Sequence, residues 1–344
     1  MRFPITPPAV ASPAEKMIQI LSGFWINRAL YVTTELGIPD LLADGPKHCT
    51  GLAASTKTHP SALYRVLRAL AMAGVYVETG PRQFGLTPLS ELLRCDVPGS
   101  MRPLVLFQGD AMQWDSYREM RFSIETSRPA TEKALGRTIF EYMRENPAAG
   151  TLFNQAMTTR TSMEAGAVVE AYDFGGAGTL VDVAGGLGGL LATILAANPS
   201  MRGVLFDLPQ VIADSRLHGE IKGAMLPRVD FAAGNFFETV PGGGDAYLLK
   251  HIIHDWYDDK AGVILQNCRK VMGPQSRLLL VETVIPEGPE PHFGKLLDLQ
   301  MLIIAGGMER TEAEFRTLLS SAGFRLQRVV PTKSPVSVVE AVPA

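Results

Sequence analysis

The chain has 344 residues, of which 46% are hydrophobic and 19% charged, enough apolar mass for two cores. A net charge of −3 excludes a general polyanion binder, and a nucleic-acid partner would need a local basic stripe. Cys49, Cys95 and Cys268 form no CxxC pair and no disulfide framework, so the expected location is cytoplasmic.

Pro4, Pro7, Pro8 and Pro13 interrupt the start of the chain, where a signal peptide needs an unbroken apolar run. No stretch approaches the roughly 18 uninterrupted apolar residues of a membrane span, so no membrane partner is expected. Residues 14–36 place Met17, Ile20, Leu21, Phe24 and Trp25 at helical spacing. That apolar face calls for cover, from the protein's own core or from a second subunit. Further helices are predicted over 36–43, 51–56 and 60–73, the last opening on Pro60 and stopping at Gly74. Runs 75–78 and 83–86 flank Thr79-Gly80-Pro81-Arg82, a hairpin signal. Three short helices and a hairpin describe a winged helix. Residues 1–100 nevertheless carry nine Lys or Arg against seven Asp or Glu, and the helix with Arg65 and Arg68 mostly presents Leu63, Val66, Leu67 and Leu70. Dimerisation and the walling of a substrate pocket therefore fit this module better than DNA binding.

Residues 103–172 read as a helical connector with breaks at Pro129, Gly136 and Pro147. Beyond it, strands over 180–183, 203–206, 246–250 and 277–281 alternate with helices. This is the pattern of an α/β, Rossmann-like, doubly wound and mostly parallel sheet. The expected domains are 1–102 for dimerisation, 103–172 as a connector contributing to the substrate pocket, and 173–344 for catalysis.

The run from Leu180 to Gly189 turns from a strand through Ala184-Gly185-Gly186-Leu187-Gly188-Gly189 into a helix. Such glycines let the backbone approach a ligand at the carboxyl edge of the sheet. A dinucleotide fingerprint counted from Gly186 fails, because its sixth residue is Leu191, which argues against a nicotinamide-dependent dehydrogenase. Asp182 just before the glycines would repel a pyrophosphate, yet it can receive the ammonium of a methionine moiety. Asp207 ends the next strand, where an acid accepts ribose hydroxyls.

Residues 180–190, Phe206-Asp207-Leu208-Pro209, 250–259 and 309–315 together resemble the S-adenosylmethionine-dependent O-methyltransferases of the plant caffeate and bacterial polyketide-tailoring type, over nearly the whole chain. The resemblance implies a class I methyltransferase fold with a winged-helix dimerisation domain, a homodimer, and S-adenosylmethionine as cofactor without a metal. It implies that Gly185, Gly186 and Gly188 border the methionine part, that Asp207 with Leu208 holds the ribose, and that Lys250 lies near the methionine end. Asn235 and Phe236 match a Gly-Asp-x-Phe segment beside the adenine, with Asn in place of the acid and its amide oxygen still able to accept. Ala184 stands where the family often has glycine. Phe153 matches the residue laid against the cofactor, and Met157 the one against the acceptor ring. Trp114, Phe107, Met301 and Ile304 are further pocket candidates.

A phenol with a pKa near 10 is largely protonated at neutral pH, so its methylation is helped by a positioned base. His251 and His254 follow the strand over 246–250, where open α/β sheets build their sites. Their spacing of three invites a metal reading, but no third ligand is evident from spacing. The resemblance selects His254 as general base, with Glu282 and Glu309 as the acids that bracket it. It leaves His251 without a role. Thr311 and Glu314 form a capping box, which leaves Glu309 free for that purpose. Asp255 reads as local hydrogen bonding near the substrate. The expected activity is methyl transfer to a hydroxyl of a small aromatic secondary metabolite. The alternatives are a methyltransferase-fold hydroxylase or decarboxylase, and a winged-helix ligand-sensing regulator.

Overall fold

The computed structural model describes residues 12–218 and 221–344, so Pro4, Pro7 and Pro8 lie outside the described residues. Ser12 opens the first helix: its hydroxyl accepts the Glu15 N–H while the Glu15 carboxylate accepts the Ser12 N–H, and Pro13 occupies the first turn. The helix Pro13–Glu35 leaves Met17, Ile18, Ile20, Leu21, Phe24 and Trp25 between 56% and 66% exposed. The chain divides into two compact units, residues 1–111 and 112–344.

In the first unit, helices Ile38–Leu41, Cys49–Thr56 and Pro60–Met72 pack with a small antiparallel sheet. Its strands are β1 (Lys47–His48), β2 (Tyr76–Gly80) and β3 (Gln83–Leu86), in the order β1-β3-β2. Leu52, Leu67, Leu70 and Phe84 are its fully buried centre. Two-residue β1 carries no sequence signal, because a pairing that short is set by its partner strand. The helix Arg102–Gly109, with Phe107 buried in it, also belongs to this unit.

The second unit starts with short helices and the long helix Pro147–Ala171, then builds a seven-stranded sheet. Its strands are β4 (Thr179–Val183), β5 (Arg202–Asp207), β6 (Val229–Ala233), β7 (Ala246–Lys250), β8 (Arg277–Glu282), β9 (Phe324–Pro331) and β10 (Ser337–Pro343). The order is β6-β5-β4-β7-β8-β10-β9, parallel except for β10, which runs antiparallel to both its neighbours. The central strands are near-continuous Leu and Val runs because both faces are covered. Polar exceptions sit together: Asp207, Asp182, Lys250 and Glu282 stand at or near the carboxyl ends of the adjacent strands β5, β4, β7 and β8. Among the described residues no helix is long and apolar enough to cross a membrane.

Two loops beyond this edge are fastened by Arg310, whose side chain is 1% exposed. Its guanidinium donates to the carbonyls of Ile253, Trp256 and Met308 and to the Asp258 carboxylate. Replacing it by methionine strands buried carbonyls, so Arg310→Met is expected to lower the unfolding free energy by about 3 kcal/mol. Urea denaturation reads this directly, and an unchanged midpoint would remove the clamp.

Candidate active site

The glycine turn after β4 is shaped by close approach. A Cβ on Gly185 would come within 2.5 Å of both Asp182 Oδ2 and Leu205, and one on Gly188 within 2.6 Å of Ile221. Gly186 and Gly188 have φ of +59° and +81°, where glycine carries no steric penalty. Ala184 has φ +58° despite its Cβ, the position at which the family pattern favours glycine.

Asp182 is 2% exposed, and its Oδ2 has no hydrogen-bond partner among the described residues. Burial, and then the charge of Asp207, push its carboxyl up to about 7. Asp207 accepts from the N–H of Gly186 at 2.9 Å and of Leu208 at 2.7 Å, which fixes its carboxylate while leaving lone pairs for a ligand. A buried acid with an orphaned oxygen, a glycine turn that admits no Cβ and a fixed second carboxylate suit the amino group and ribose hydroxyls of S-adenosylmethionine.

Leu208 lies 42% exposed next to Asp207. Asn235 Oδ1 already accepts the Phe237 N–H at 3.0 Å, closing a local turn, and its Nδ2 donates to Glu238. Phe236 packs edge-on to Phe237 and Trp256. Trp256 in turn meets Phe237 at 4.9 Å and stacks on Phe140 at 5.3 Å.

Lys250 and His251 are held by a residue that sequence reasoning missed. Glu164, on the helix Pro147–Ala171, accepts from Lys250 Nζ at 2.8 Å and from His251 Nε2 at 3.0 Å. Lys250 also donates to Thr161. Burial alone would raise the Glu164 carboxyl, but His251, Lys250 and Arg160 overcome it and hold it well below the usual range. Burial lowers Lys250 and keeps His251 neutral, aided at His251 by the charges of Arg160 and Lys250. The signal was present in helical spacing: Arg160, Thr161 and Glu164 follow Met157 at three, four and seven residues and share its face.

His251 is therefore not idle. It adopts φ +52° and stacks on His254 with ring centres 4.9 Å apart. The short turn Ile253–Asp255 presents His254, 4% exposed, with Nδ1 only 2.6 Å from Glu309 Oε1 and Nε2 3.6 Å from Asp255. Glu282 Oε1 accepts the N–H groups of Ile252 and Ile253, while its Oε2 lies 3.8 Å from His254 Nδ1 and 3.7 Å from His251 Nδ1. Burial raises Glu282, pushes Glu309 up to about 8 and pushes Asp255 up to about 6.

The loop carrying Glu309 is set against the His254 turn by backbone contact. Met308 N–H donates to the His254 carbonyl, and a Cβ on Gly307 would overlap that carbonyl. Asp298 accepts the Glu309 N–H at 2.8 Å, and the Thr311–Glu314 capping box leaves the Glu309 side chain to the histidine. Glu282 is also the third group that spacing did not reveal: atoms of His251, His254 and Glu282 lie within 4.8 Å of one another. Both rings are already oriented by Glu164 and Glu309, and a sulfonium donor needs no Lewis acid.

Phe153 and Met157 lie half-buried on the helix Pro147–Ala171. Met301 and Ile304 are buried in a π-helical turn, Met301–Ala305, whose Ile303 and Ile304 carbonyls accept the Thr131 hydroxyl. Trp114 lies in the helix Ala111–Arg118. Phe107 is a buried residue of the first unit.

Residues 117–325 match the O-methyltransferase domain model, and residues 18–95 match the O-methyltransferase dimerisation domain. Phenazine O-methyltransferase PhzM of Lysobacter antibioticus is 44% identical over 329 residues, covering 95% of each chain. The crystal structure of LaPhzM superposes with a TM-score of 0.92 at 42% identity, over 97% of this chain and 100% of that one. CalO1, a methyltransferase in calicheamicin biosynthesis solved with S-adenosylhomocysteine, gives 0.84 at 35% identity, over 97% and 100%. The chain belongs to this O-methyltransferase family and is an S-adenosylmethionine-dependent enzyme.

An ammonium must meet Asp182 in its ionised form, and the free carboxyl sits near pH 7. With Asp182 as the proposed receiver of the cofactor's amino group, binding would expel a proton, and S-adenosylhomocysteine affinity should rise about tenfold between pH 6 and 8. Calorimetry should find Asp182→Asn weaker and flat with pH; an unchanged slope would detach Asp182 from the cofactor.

Proposed function

We propose that this enzyme methylates a hydroxyl of a small aromatic acceptor with His254 as general base. The observation that carries the reading is the 2.6 Å contact between His254 Nδ1 and Glu309. Bound S-adenosylmethionine supplies a methyl group already activated by its sulfonium charge. Asp182 receives the amino group, Asp207 with Leu208 holds the ribose, Asn235 and Phe236 flank the adenine, and Phe153 packs against the cofactor. Ionised Glu309 accepts the Nδ1 proton, so the Nε2 lone pair faces the acceptor hydroxyl and takes its proton as the new bond forms. Glu282 fixes the backbone of the turn through its two N–H contacts and adds negative charge beside the ring. Met157, Trp114, Met301 and Ile304 provide an apolar, polarizable wall suited to a flat ring. The phenazine acceptor named for the Lysobacter relative supports that class.

The match of residues 18–95 and the exposed face of the helix Pro13–Glu35 support a homodimer. Three unpaired cysteines support a cytoplasmic location.

His254→Ala should lose about 10²- to 10⁴-fold in methyl transfer with S-adenosylhomocysteine affinity intact. Product mass spectrometry against an aromatic hydroxyl panel measures it, and full turnover in that variant would reject the base.

The pH profile follows from the raised Glu309 carboxyl. Below about 8 it is protonated, donates to Nδ1 and leaves hydrogen on Nε2, so kcat/KM should fall as pH drops through 8. Glu309→Gln should lower the rate and abolish that limb; a limb that persists would assign it elsewhere.

Trp25→Asp should shift the protein from dimer to monomer in sedimentation velocity. A dimer that survives would place the interface away from this helix.

A further inference from the structure

One charged side chain beside this site takes no step in the proposed methyl transfer. Arg160 sits three residues beyond Met157 on the helix Pro147–Ala171, beside Thr161 and one turn before Glu164. The ties from Lys250 to Thr161 and Glu164 hold that helix face against the end of β7. The Arg160 side chain is 17% exposed, and among the described residues its polar contact is Nε to Glu164 at 3.4 Å, the outer limit of a hydrogen bond. Glu164 is held more closely by Lys250 at 2.8 Å and His251 at 3.0 Å, so the Arg160 contact is the longest of its three. The two terminal amino groups of the guanidinium are left without a protein acceptor among the described residues. Arginine keeps its charge under burial, so the four N–H donors of these amino groups are unspent on protein.

The contact of Nε with Glu164 sets the guanidinium near His251, which bonds the same carboxylate and stacks on His254. Arg160 opposes the upward push of burial at Glu309 and Asp255 and deepens the neutrality of His251. All three surround His254, and Met157 lies one turn before Arg160 on the same helix, so the charge belongs to the neighbourhood of the base. A neutral ring there would leave the donors unpaired. A planar carboxylate matches the guanidinium fork in geometry and cancels its charge.

We propose that Arg160 is an anion-reading residue of the acceptor pocket, and that the natural acceptor carries a carboxylate close to the hydroxyl that is methylated. This rests on reading the space beside His254 as the acceptor site. A carboxylate held by Arg160 pins the ring in one orientation and presents a single hydroxyl to Nε2, which makes this residue a determinant of position as well as of substrate.

The test uses binding rather than turnover, so its failure is distinct from failure of the methyl-transfer reading. The full-length enzyme saturated with S-adenosylhomocysteine is titrated calorimetrically with 1-hydroxy-2-naphthoate and with 1-naphthol. Wild type should bind the naphthoate on the order of 10- to 100-fold more tightly than the naphthol. Arg160→Gln should bring the two affinities together by weakening the naphthoate alone, and Arg160→Lys should retain part of the preference through its point charge. Melting temperature and S-adenosylhomocysteine affinity check folding, and Arg160→Lys serves should the glutamine variant not fold. Equal affinities in wild type, no naphthoate binding to wild type, a ratio preserved in Arg160→Gln, or equal weakening of both probes would each overturn the proposal.

Discussion

The constraint on which the rest of this site depends is the burial of carboxylates at one edge of a sheet. Asp182, Glu164, Glu282 and Glu309 are all at most 4% exposed, and Asp207 and Asp255 stand beside them. An isolated buried carboxylate is unstable as an anion and answers by binding a proton or acquiring partners. Both answers occur here. Glu164 gathers Lys250, His251 and Arg160 and stays ionised, whereas Asp182 and Glu309 lack a sufficient cation and are pushed into the range where they titrate near neutrality. The division separates structural work from chemical work: the satisfied acid holds the scaffold, and the unsatisfied ones await a ligand or a proton.

Two of the positive-φ backbone positions meet the same demand. Ala184 and His251 are non-glycine residues with φ of +58° and +52°, and each directly follows a strand carrying a polar group at or near its end. Such a conformation costs about 1–3 kcal/mol and persists only where its surroundings overdetermine it. At His251 the surroundings are the Glu164 hydrogen bond and the stacked His254 ring, which together turn the chain sharply enough for Glu282 to accept two consecutive N–H groups. Histidine at 251 is thereby fixed on both sides, which on the proposed mechanism makes it a support for His254.

The legible parts of the protein were those written locally. Residues 246–250 read as a strand because all but the last are apolar and both faces are covered. Asp182 and the glycines read as a ligand turn because acid, glycine run and helix follow without a gap. The strand β6 escaped because Val229-Asp230-Phe231-Ala232-Ala233 is short and mixed, and its pairing with β5 decides its form. Antiparallel β9 and β10 escaped for a related reason: their register is set by β8 and by each other. The roles of Glu164, Arg160 and Arg310 depend on contacts 87, 4 and 57 residues away in the chain, and only the second of these lies within reach of helical spacing. Spacing from Met157 would have led to Arg160 and Glu164; nothing in the neighbourhood of Arg310 would have revealed a clamp.

The chemistry asks little of the protein in activation and much in placement. A sulfonium carries its own driving charge, so rate must come from aligning the acceptor oxygen and removing its proton at the right moment. The His254 turn is tied at each side: Glu282 accepts its N–H groups, Arg310 donates to its carbonyls, Met308 donates to the His254 carbonyl and Glu309 holds the ring. A base so constrained cannot swing to meet a misplaced hydroxyl. On the proposed mechanism, acceptor choice passes from the base to whatever orients the ring, so selectivity would rest on the pocket wall and the charge on it.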